Sequence, residues 1–260
     1  ASLASQAEKP KIRSRHIGRL ASLAGLPAAT EFYLRSKLGQ TGIVKARCRF
    51  GPFEMRLGES DYLVALQTFQ GKEYALKSKR VEQLNALAKQ WRAAGQTPVI
   101  IDAGANVGYS AIFLARTYPD AVILAVEPDP GCVEQMRRNC AAIPAITPIH
   151  GAVWKDNDGV HLEQTDRLSW ARQVGEGGAT PSFTLKALLA TVPNARPLIL
   201  KMDIEGAERE VCAEAGEELA EFRCILIEPH DSMMPGAACL QGLYAVMARR
   251  RMDTLVRGEN

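Results

Sequence analysis

The sequence lacks the features that mark several protein classes. Its six cysteines form no C-x-x-C pair, and its four histidines do not cluster with them at the spacing of zinc ligands. No apolar run approaches the roughly 20 residues that cross a bilayer, and a net charge of +3 over 260 residues is too small to indicate a nucleic-acid partner. These absences argue against a zinc site, a membrane span and nucleic-acid binding. They favour reduced, mostly buried thiols in a cytoplasmic protein.

The composition is that of a globular protein, with 47% hydrophobic and 23% charged residues. Its first part shows no strand–helix alternation. A basic arm over 1–20 precedes predicted helices and one predicted hairpin, and a domain boundary is expected near Gly95–Pro98. The sequence therefore predicts an N-terminal extension, 1–97, and a second domain, 98–260. The predicted helices cover 28–38, 61–70 and 81–95, and the hairpin covers 43–58.

After Pro98 the pattern changes to alternating strands and helices. Strands are predicted at 99–103, 121–126, 146–153, 198–202 and 224–227, and the last helix at 237–250. The strands are apolar without strict alternation, which is typical of strands buried on both faces. We therefore expect an α/β fold with a Rossmann-like, doubly wound, mostly parallel sheet. The glycine-bearing stretch 164–181 has no clear period and is expected to be either a lid or a mobile loop.

A glycine loop follows the first of these strands. Doubly wound sheets bind ligands at the carboxyl ends of their strands, and here Asp102 leads into Gly104, Asn106 and Gly108. A dinucleotide fingerprint, G-x-G-x-x-G, would need glycine at positions 106 and 109. A side chain at 106 obstructs the approach of a pyrophosphate, so NAD is disfavoured. S-adenosylmethionine has no pyrophosphate and needs only a close backbone loop and an acid for its ribose.

Glu127 supplies an acid at the end of the second strand, 23 residues after Gly104. Its carboxylate can accept both ribose hydroxyl protons. Asp102 is expected to orient the loop or to reach the ligand's ammonium group through water, and the backbone at Ala152 is expected near the adenine. The predicted cofactor-binding residues are Asp102, Gly104, Asn106, Gly108, Glu127 and Ala152.

Several segments, in this order, resemble the FkbM family of S-adenosylmethionine-dependent methyltransferases. They are IDAGANVGYSAIFLA, VEPDP, RNC, HGAVW, LILKMDIEGAEREV and ILIEPH, and they span about Pro98 to His230. The resemblance implies a class I methyltransferase fold and, most often, O-methylation of small molecules or sugars. The sequence departs from the family after its last helix, where only MDTLVRGEN stands in place of a final hairpin. The sheet would then be one strand short, or be completed by the N-terminal part or by a second copy of the chain.

Acidic and imidazole side chains follow the fourth and fifth strands, beside the expected methyl group. Asp203 could be a base, a metal ligand or an anchor for the ligand's ammonium group. His230 has a pKa class suited to proton transfer. Glu205 and Glu208 lie three residues apart and share a helix face, although acids in a first helical turn also offset the helix dipole without a catalytic role.

We predict Asp203, Glu205 and His230 as the catalytic residues. A divalent ion held by Asp203, Glu228 and His230 is a possible alternative, but strand order alone does not show that they converge, so no metal ligand is assigned. Lys201, in an otherwise apolar strand, is expected either to face a cleft or to extend to solvent.

The sequence thus predicts an S-adenosylmethionine-dependent methyltransferase that acts on a hydroxyl of a small molecule or glycan. A homo-oligomer joined through the C-terminal sheet edge is one possible assembly. Three alternatives stay open: an NAD-dependent oxidoreductase, a nucleic-acid or protein N-methyltransferase, and a non-catalytic binding module on a methyltransferase fold. Base methylation is disfavoured, because DIEG follows strand four where such enzymes often carry an Asn/Asp-Pro-Pro-aromatic motif.

Overall fold

The computed structural model describes residues 14–162, 174–230, 236, 238–250 and 252–255. The N-terminal part contains four α-helices, a π-helical turn and a hairpin. They are α1 (Ser14–Ala24), α2 (Leu26–Lys37), β1 (Ile43–Cys48), β2 (Gly51–Arg56), α3 (Asp61–Ala65), the π-helix (Leu66–Gly71) and α4 (Ser78–Ala93).

The second part contains nine strands and six helices among the described residues. They are β3 (Thr97–Ala103), α5 (Tyr109–Thr117), β4 (Val122–Glu127), α6 (Pro130–Cys140), β5 (Ile146–His150), β6 (Ala152–Val153), β7 (Val160–Leu162), β8 (Val174–Glu176), β9 (Ser182–Phe183), α7 (Leu185–Ala190), β10 (Ala195–Met202), α8 (Glu208–Glu214), α9 (Gly216–Leu219), β11 (Cys224–Ile227) and α10 (Gln241–Arg250).

The predicted hairpin forms, and the alternation in its sequence explains which side it buries. β1 and β2 pair antiparallel with Ile43 opposite Arg56. Val44 and Met55 are completely buried and the intervening polar residues face outwards, as expected for strands with one face on a core. This hairpin is a separate sheet and does not extend the main one.

The main sheet has five parallel strands in the order β11-β10-β3-β4-β5. In chain order of these strands this is 5-4-1-2-3, a Rossmann-like, doubly wound arrangement whose order reverses at β3. The reversal explains why the loop after β3 lies where a ligand can enter. The predicted α/β fold with a Rossmann-like, doubly wound, parallel sheet is confirmed.

Both faces of this sheet are covered, as the apolar strands predicted. On one face, Ile100 and Ile123 join a core that includes helices α5 and α6. On the other face, Ile101 and Leu124 join a second core with α7, α8 and α10. The first core also contains Trp91 and other side chains from before Pro98, so the N-terminal part packs directly on one face of the sheet.

The third predicted strand and the last predicted helix are longer than the observed elements. The third strand ends at His150 instead of continuing to Val153, because the chain turns at Gly151 (φ 155°) and β6 then pairs with β9. A Cβ at Gly151 would lie 2.6 Å from the Phe183 ring, so only glycine fits this turn. The last helix begins at Gln241 rather than at 237. Of the predicted loop 164–181, residues 164–173 lie outside the described residues, while the rest contains β8.

Candidate active site

The loop after β3 is held against the neighbouring strands by its own backbone. The N–H groups of Gly104 and Ala105 both donate to the carbonyl of Val126, at 3.0 Å. Gly104 has φ 74°, and a Cβ there would lie 1.8 Å from the carbonyl oxygen of Asp203. Glycine is therefore required at 104 both for its conformation and for its close approach to the end of β10. The loop ends at Gly108, which precedes α5.

Glu127 is buried and is bound to the loop. Its side chain accepts the backbone N–H of Asn106 at 2.9 Å on one oxygen and that of Asp129 at 2.9 Å on the other. Burial raises the pKa of Glu127 to about 7, although these two N–H groups act in the opposite direction. Asn106 adopts a left-handed conformation (φ 49°) that aims its N–H at this carboxylate, and asparagine tolerates that region better than most residues.

The backbone that precedes Ala152 is hydrogen-bonded to Glu127 at the end of β4. The N–H of Gly151 donates to the carbonyl of Glu127 at 3.0 Å. Ala152 is buried and begins β6. The structure therefore brings Asn106, Glu127 and Ala152 together at the carboxyl ends of β3, β4 and β5.

Asp102 and Lys201 form a buried pair on neighbouring strands. They are register partners in β3 and β10, and Lys201 Nζ lies 3.3 Å from Asp102 Oδ1. Lys201 also donates to the carbonyl of Gly104 at 2.8 Å, and Ser110 Oγ donates to Asp102 Oδ2 at 2.7 Å. The sequence suggested that Lys201 either faces a cleft or extends to solvent, but it is 1% exposed and does neither. It ties the loop to the end of β10.

The electrostatics of Lys201 follow from these contacts. Burial lowers its pKa, but the carboxylates of Asp102 and Asp203 outweigh that effect, so the net pKa is raised. Asp203 Oδ2 lies 3.6 Å from Lys201 Nζ. The lysine therefore stays charged and joins the loop after β3 to the predicted catalytic aspartate.

The three predicted catalytic residues converge. His230 Nε2 lies 3.8 Å from Asp203 Oδ1 and 3.8 Å from Glu205 Oε2. Glu205 has φ 55°, an uncommon conformation for glutamate that turns the chain between β10 and α8. Burial raises the pKa of Glu205 to about 7, and the neighbouring imidazole acts in the opposite direction. Asp203 and His230, which are 27 residues apart in sequence, thus join one polar cluster with Glu205.

Glu208 orients His230 from behind. It is completely buried, and its oxygens accept the backbone N–H groups of Ile204 (2.9 Å) and Gly206 (2.8 Å). Oε1 also lies 3.0 Å from His230 Nδ1. Burial lowers the pKa of His230, but the hydrogen bond and charge of Glu208 outweigh it, with Glu205 and Asp203 contributing, and the pKa rises to about 9. Glu208 is thus a buried hydrogen-bond acceptor rather than a solvent-exposed acid that only offsets the helix dipole.

Tyr74 brings the N-terminal part into this cluster. Its hydroxyl donates to Asp203 Oδ2 at 3.2 Å, and its ring lies 5.2 Å from Lys201 Nζ. Burial, followed by the charge of Asp203, raises its pKa well above the ordinary value. Sequence reasoning missed Tyr74, because a single tyrosine 129 residues before its partner carries no local signal. It also missed Ser110, although a hydroxyl eight residues after Asp102, at the start of a helix, could have suggested a partner for the carboxylate.

Glu228 lies near this cluster but is not one of the three converging groups. The metal-type cluster among the described residues consists of Asp203, Glu205 and His230, whose donor atoms lie within 4.8 Å of one another. Glu205 therefore takes the place that the sequence-based alternative gave to Glu228. Burial, together with Asp203 and Glu73, raises the pKa of Glu228 to about 7.

The other sequence-based expectations concern cysteines and membranes. The six cysteines are all free thiols, four of them buried. Among the helices of the described part of the chain, none combines the length and the apolar character needed to cross a bilayer.

Comparison with known proteins points to methyltransferases. The chain is 44% identical over 52 residues to Methyltransferase sdnD of Sordaria araneosa, covering 20% of each chain. It is 27% identical over 146 residues to Methyltransferase 1 of Beauveria bassiana, covering 46% of this chain and 59% of the relative. The chain thus spans about a fifth and about three fifths of the length of these two curated relatives.

A solved structure from Staphylococcus aureus, provisionally named a caffeoyl-CoA O-methyltransferase, aligns with a TM-score of 0.24 and 12% identity, over 60% of this chain and 56% of that one. A similarity at that level does not identify a shared activity. The family profile described as the methyltransferase FkbM domain matches residues 102–248, more than half of the chain and including every predicted site residue. The chain belongs to the FkbM methyltransferase family.

Proposed function

We propose that this protein transfers the methyl group of S-adenosylmethionine to a hydroxyl of a small-molecule or sugar acceptor. The observation that carries the proposal is that the glycine loop and the polar cluster both lie at the carboxyl ends of the parallel strands. The loop bound to Glu127 lies at the ends of β3 and β4, and the cluster of Asp203, Glu205 and His230 lies at the ends of β10 and β11. Lys201 contacts both.

The residues at the ends of β3 and β4 fit the nucleoside of S-adenosylmethionine. A carboxylate offers about four lone-pair sites, and the two N–H groups on Glu127 use one on each oxygen. The remaining lone pair on each oxygen can accept a ribose hydroxyl. Glu127 is 8% exposed, so such hydrogen bonds would form with little competition from water. Asn106, which has a side chain where a dinucleotide loop has glycine, argues against a pyrophosphate.

The polar cluster at the ends of β10 and β11 fits the activation of a hydroxyl nucleophile. When bound, S-adenosylmethionine supplies the electrophilic methyl group; the acceptor oxygen forms a bond to it, the carbon–sulfur bond breaks, and its electron pair stays on sulfur. The acceptor must also lose a proton. Asp203 and Glu205 provide carboxylates that can bind the hydroxyl and take up that proton. His230, whose pKa of about 9 keeps it protonated at neutral pH, can donate a hydrogen bond to the acceptor oxygen. Lys201 and Tyr74 hold one oxygen of Asp203, which leaves the other facing the cluster.

The first test is calorimetric titration of the purified protein with S-adenosylhomocysteine, with NAD as the parallel ligand. We expect saturable one-to-one binding of S-adenosylhomocysteine and none of NAD. Binding of NAD alone would establish the oxidoreductase alternative. Binding of neither ligand would favour the non-catalytic module.

A pair of variants tests the ribose assignment. Glu127→Gln replaces one acceptor oxygen by a donor amide, and we expect it to weaken S-adenosylhomocysteine binding by more than ~1.4 kcal/mol, which is tenfold. The matched control is Glu134→Gln on the exposed face of α6, where the carboxylate pairs only with Arg138 among the described residues. Equal affinities of the two variants would contradict the role of Glu127.

A further inference from the structure

We propose that Asp203, Glu205 and His230 bind a divalent metal ion that holds the acceptor hydroxyl. For its role in catalysis this inference depends on the proposed function, but the binding of the ion does not. The donor set consists of two carboxylates and one imidazole. Carboxylates suit Mg²⁺ and Mn²⁺ and imidazole suits first-row transition metals, so a first-row divalent ion such as Mn²⁺ matches both.

The imidazole is the observation that distinguishes this cluster from a group of surface acids. His230 is 8% exposed, and Glu208 fixes its Nδ1 atom. Its Nε2 atom points between Asp203 and Glu205, at 3.8 Å from each, and no hydrogen bond within 3.5 Å is made to it by the part of the chain that the structure describes. A buried nitrogen is thus aimed into the space between two carboxylates, and an ion bound there would replace the Nε2 proton that the raised pKa of His230 retains at neutral pH.

The partners behind the ligands also match a metal site. A metal-binding histidine commonly donates its other ring N–H to a carboxylate, which fixes the tautomer and orients the ring. Glu208 is placed to accept from Nδ1 in this way, and it is itself held by two backbone N–H groups. On the other side, Tyr74 and Lys201 contact Oδ2 of Asp203 and leave Oδ1 directed at His230. Two of the three ligands are therefore held in position from outside the cluster.

The separations agree with a site that closes slightly on binding. Ligand atoms at about 2.0–2.2 Å from one ion lie roughly 3.0–3.5 Å apart in octahedral or tetrahedral geometry. The two 3.8 Å separations at His230 Nε2 exceed this by about 0.3–0.8 Å, and all three donor atoms lie within 4.8 Å of one another. Glu205 is partly exposed, so its side chain can move by that amount.

Three protein ligands leave coordination positions open for the acceptor. An ion there would lower the pKa of a bound hydroxyl, so that its proton leaves to solvent or to a neighbouring group before the oxygen bonds to the methyl carbon. The acceptor class that suits such a site is an alcohol or phenol with a second oxygen nearby, since two oxygens can occupy two open positions.

The test is titration of the full chain, treated first with chelator and then freed of it, with MnCl₂, followed by the electron paramagnetic resonance signal of free Mn²⁺. We expect one bound ion per chain. Glu205→Gln and Asp203→Asn should each weaken binding at least about tenfold. His161→Asn, which alters an exposed histidine outside the cluster, should bind Mn²⁺ as the parent does. Failure of the parent to bind one ion, or equal binding by Glu205→Gln, would overturn the proposal.

S-adenosylhomocysteine titration of the same variants separates the two proposals. Retained S-adenosylhomocysteine binding in Glu205→Gln shows that the variant is folded and that only the ion is lost. If the parent binds S-adenosylhomocysteine but no Mn²⁺, the metal proposal fails and the proposed function stands. If the parent binds Mn²⁺ but no S-adenosylhomocysteine, the proposed function fails and the binding of the metal ion stands.

Discussion

The two halves of the candidate site are built in different ways. The half at the ends of β3 and β4 is made mainly of backbone, and its parts lie within about 25 residues of one another: the N–H groups of Asn106 and Asp129 surround the carboxylate of Glu127. The half at the ends of β10 and β11 is made of side chains, and Tyr74 reaches it from 129 residues away. Both halves lie in recognisable sequence segments, but a partner from a distant part of the chain, such as Tyr74, leaves no local signal.

Lys201 joins the two halves, and its removal should have the largest effect on stability. In Lys201→Met the carboxylate of Asp102, which is completely buried, loses its cationic partner. Breaking a buried ion pair by removing one member typically costs about 3–5 kcal/mol. We expect a loss of that size in the free energy of unfolding, measured by urea denaturation.

The control for this prediction is Lys155→Met. Lys155 pairs with the exposed Glu176, and exposed ion pairs contribute little, so its urea midpoint should stay unchanged. A Lys201→Met variant as stable as the control would mean that the two halves are not joined through this lysine.

The affinity for S-adenosylhomocysteine should depend on pH through Glu127, in the half of the site at the ends of β3 and β4. We expect this effect to be smaller than that of removing Lys201. The pKa of Glu127 is raised from 4.5 to about 7 by burial. Ribose hydroxyls donate to the ionised form, so S-adenosylhomocysteine affinity should rise with pH and level off above about pH 7. Below that pH it should fall by up to about tenfold per unit, because binding must first remove the proton.

The stability of the free protein should change in the opposite direction. The folded state keeps the Glu127 proton between pH 4.5 and 7 while the unfolded chain has lost it, so this group makes the free protein less stable as pH rises through that range. The pH dependence of S-adenosylhomocysteine affinity is measured by calorimetric titration from pH 5.5 to 8.5. If the affinity of Glu127→Gln changes with pH as that of the parent does, another group is responsible.

Tyr74→Phe should have the smallest effect and should act on one half only. The substitution keeps the ring over Lys201 and removes the hydroxyl that donates to Asp203. A net hydrogen bond is worth about 0.5–1.5 kcal/mol, so we expect the Mn²⁺ affinity to fall by about two- to tenfold and S-adenosylhomocysteine affinity to stay the same. Tyr244→Phe, at a 57% exposed tyrosine, is the control. A loss of S-adenosylhomocysteine binding in Tyr74→Phe would show that the N-terminal part also shapes the half of the site at the ends of β3 and β4.

The sequence by itself determined the parallel sheet and the glycine loop after β3. Apolar runs such as Val99–Ile101 must be buried on both faces, which requires helices on each side of a parallel sheet. Gly104 and Glu127 follow directly from the strands that place them, so their proximity is set by the topology. The conformational demand at Gly104 is likewise a property of one residue and its immediate neighbours.

Only the tertiary structure decided what the polar residues of β10, α8 and β11 do. The sequence pattern of a glutamate in the first turn of a helix is the same whether the side chain faces water or a histidine. Only the structure shows that Glu208 is buried and contacts His230. The same holds for Lys201 and Tyr74, whose partners depend on how the N-terminal part packs on the sheet. Local patterns encode which face of an element is apolar, but the direction and partner of a single polar side chain are fixed by the packing of elements that are distant in the chain.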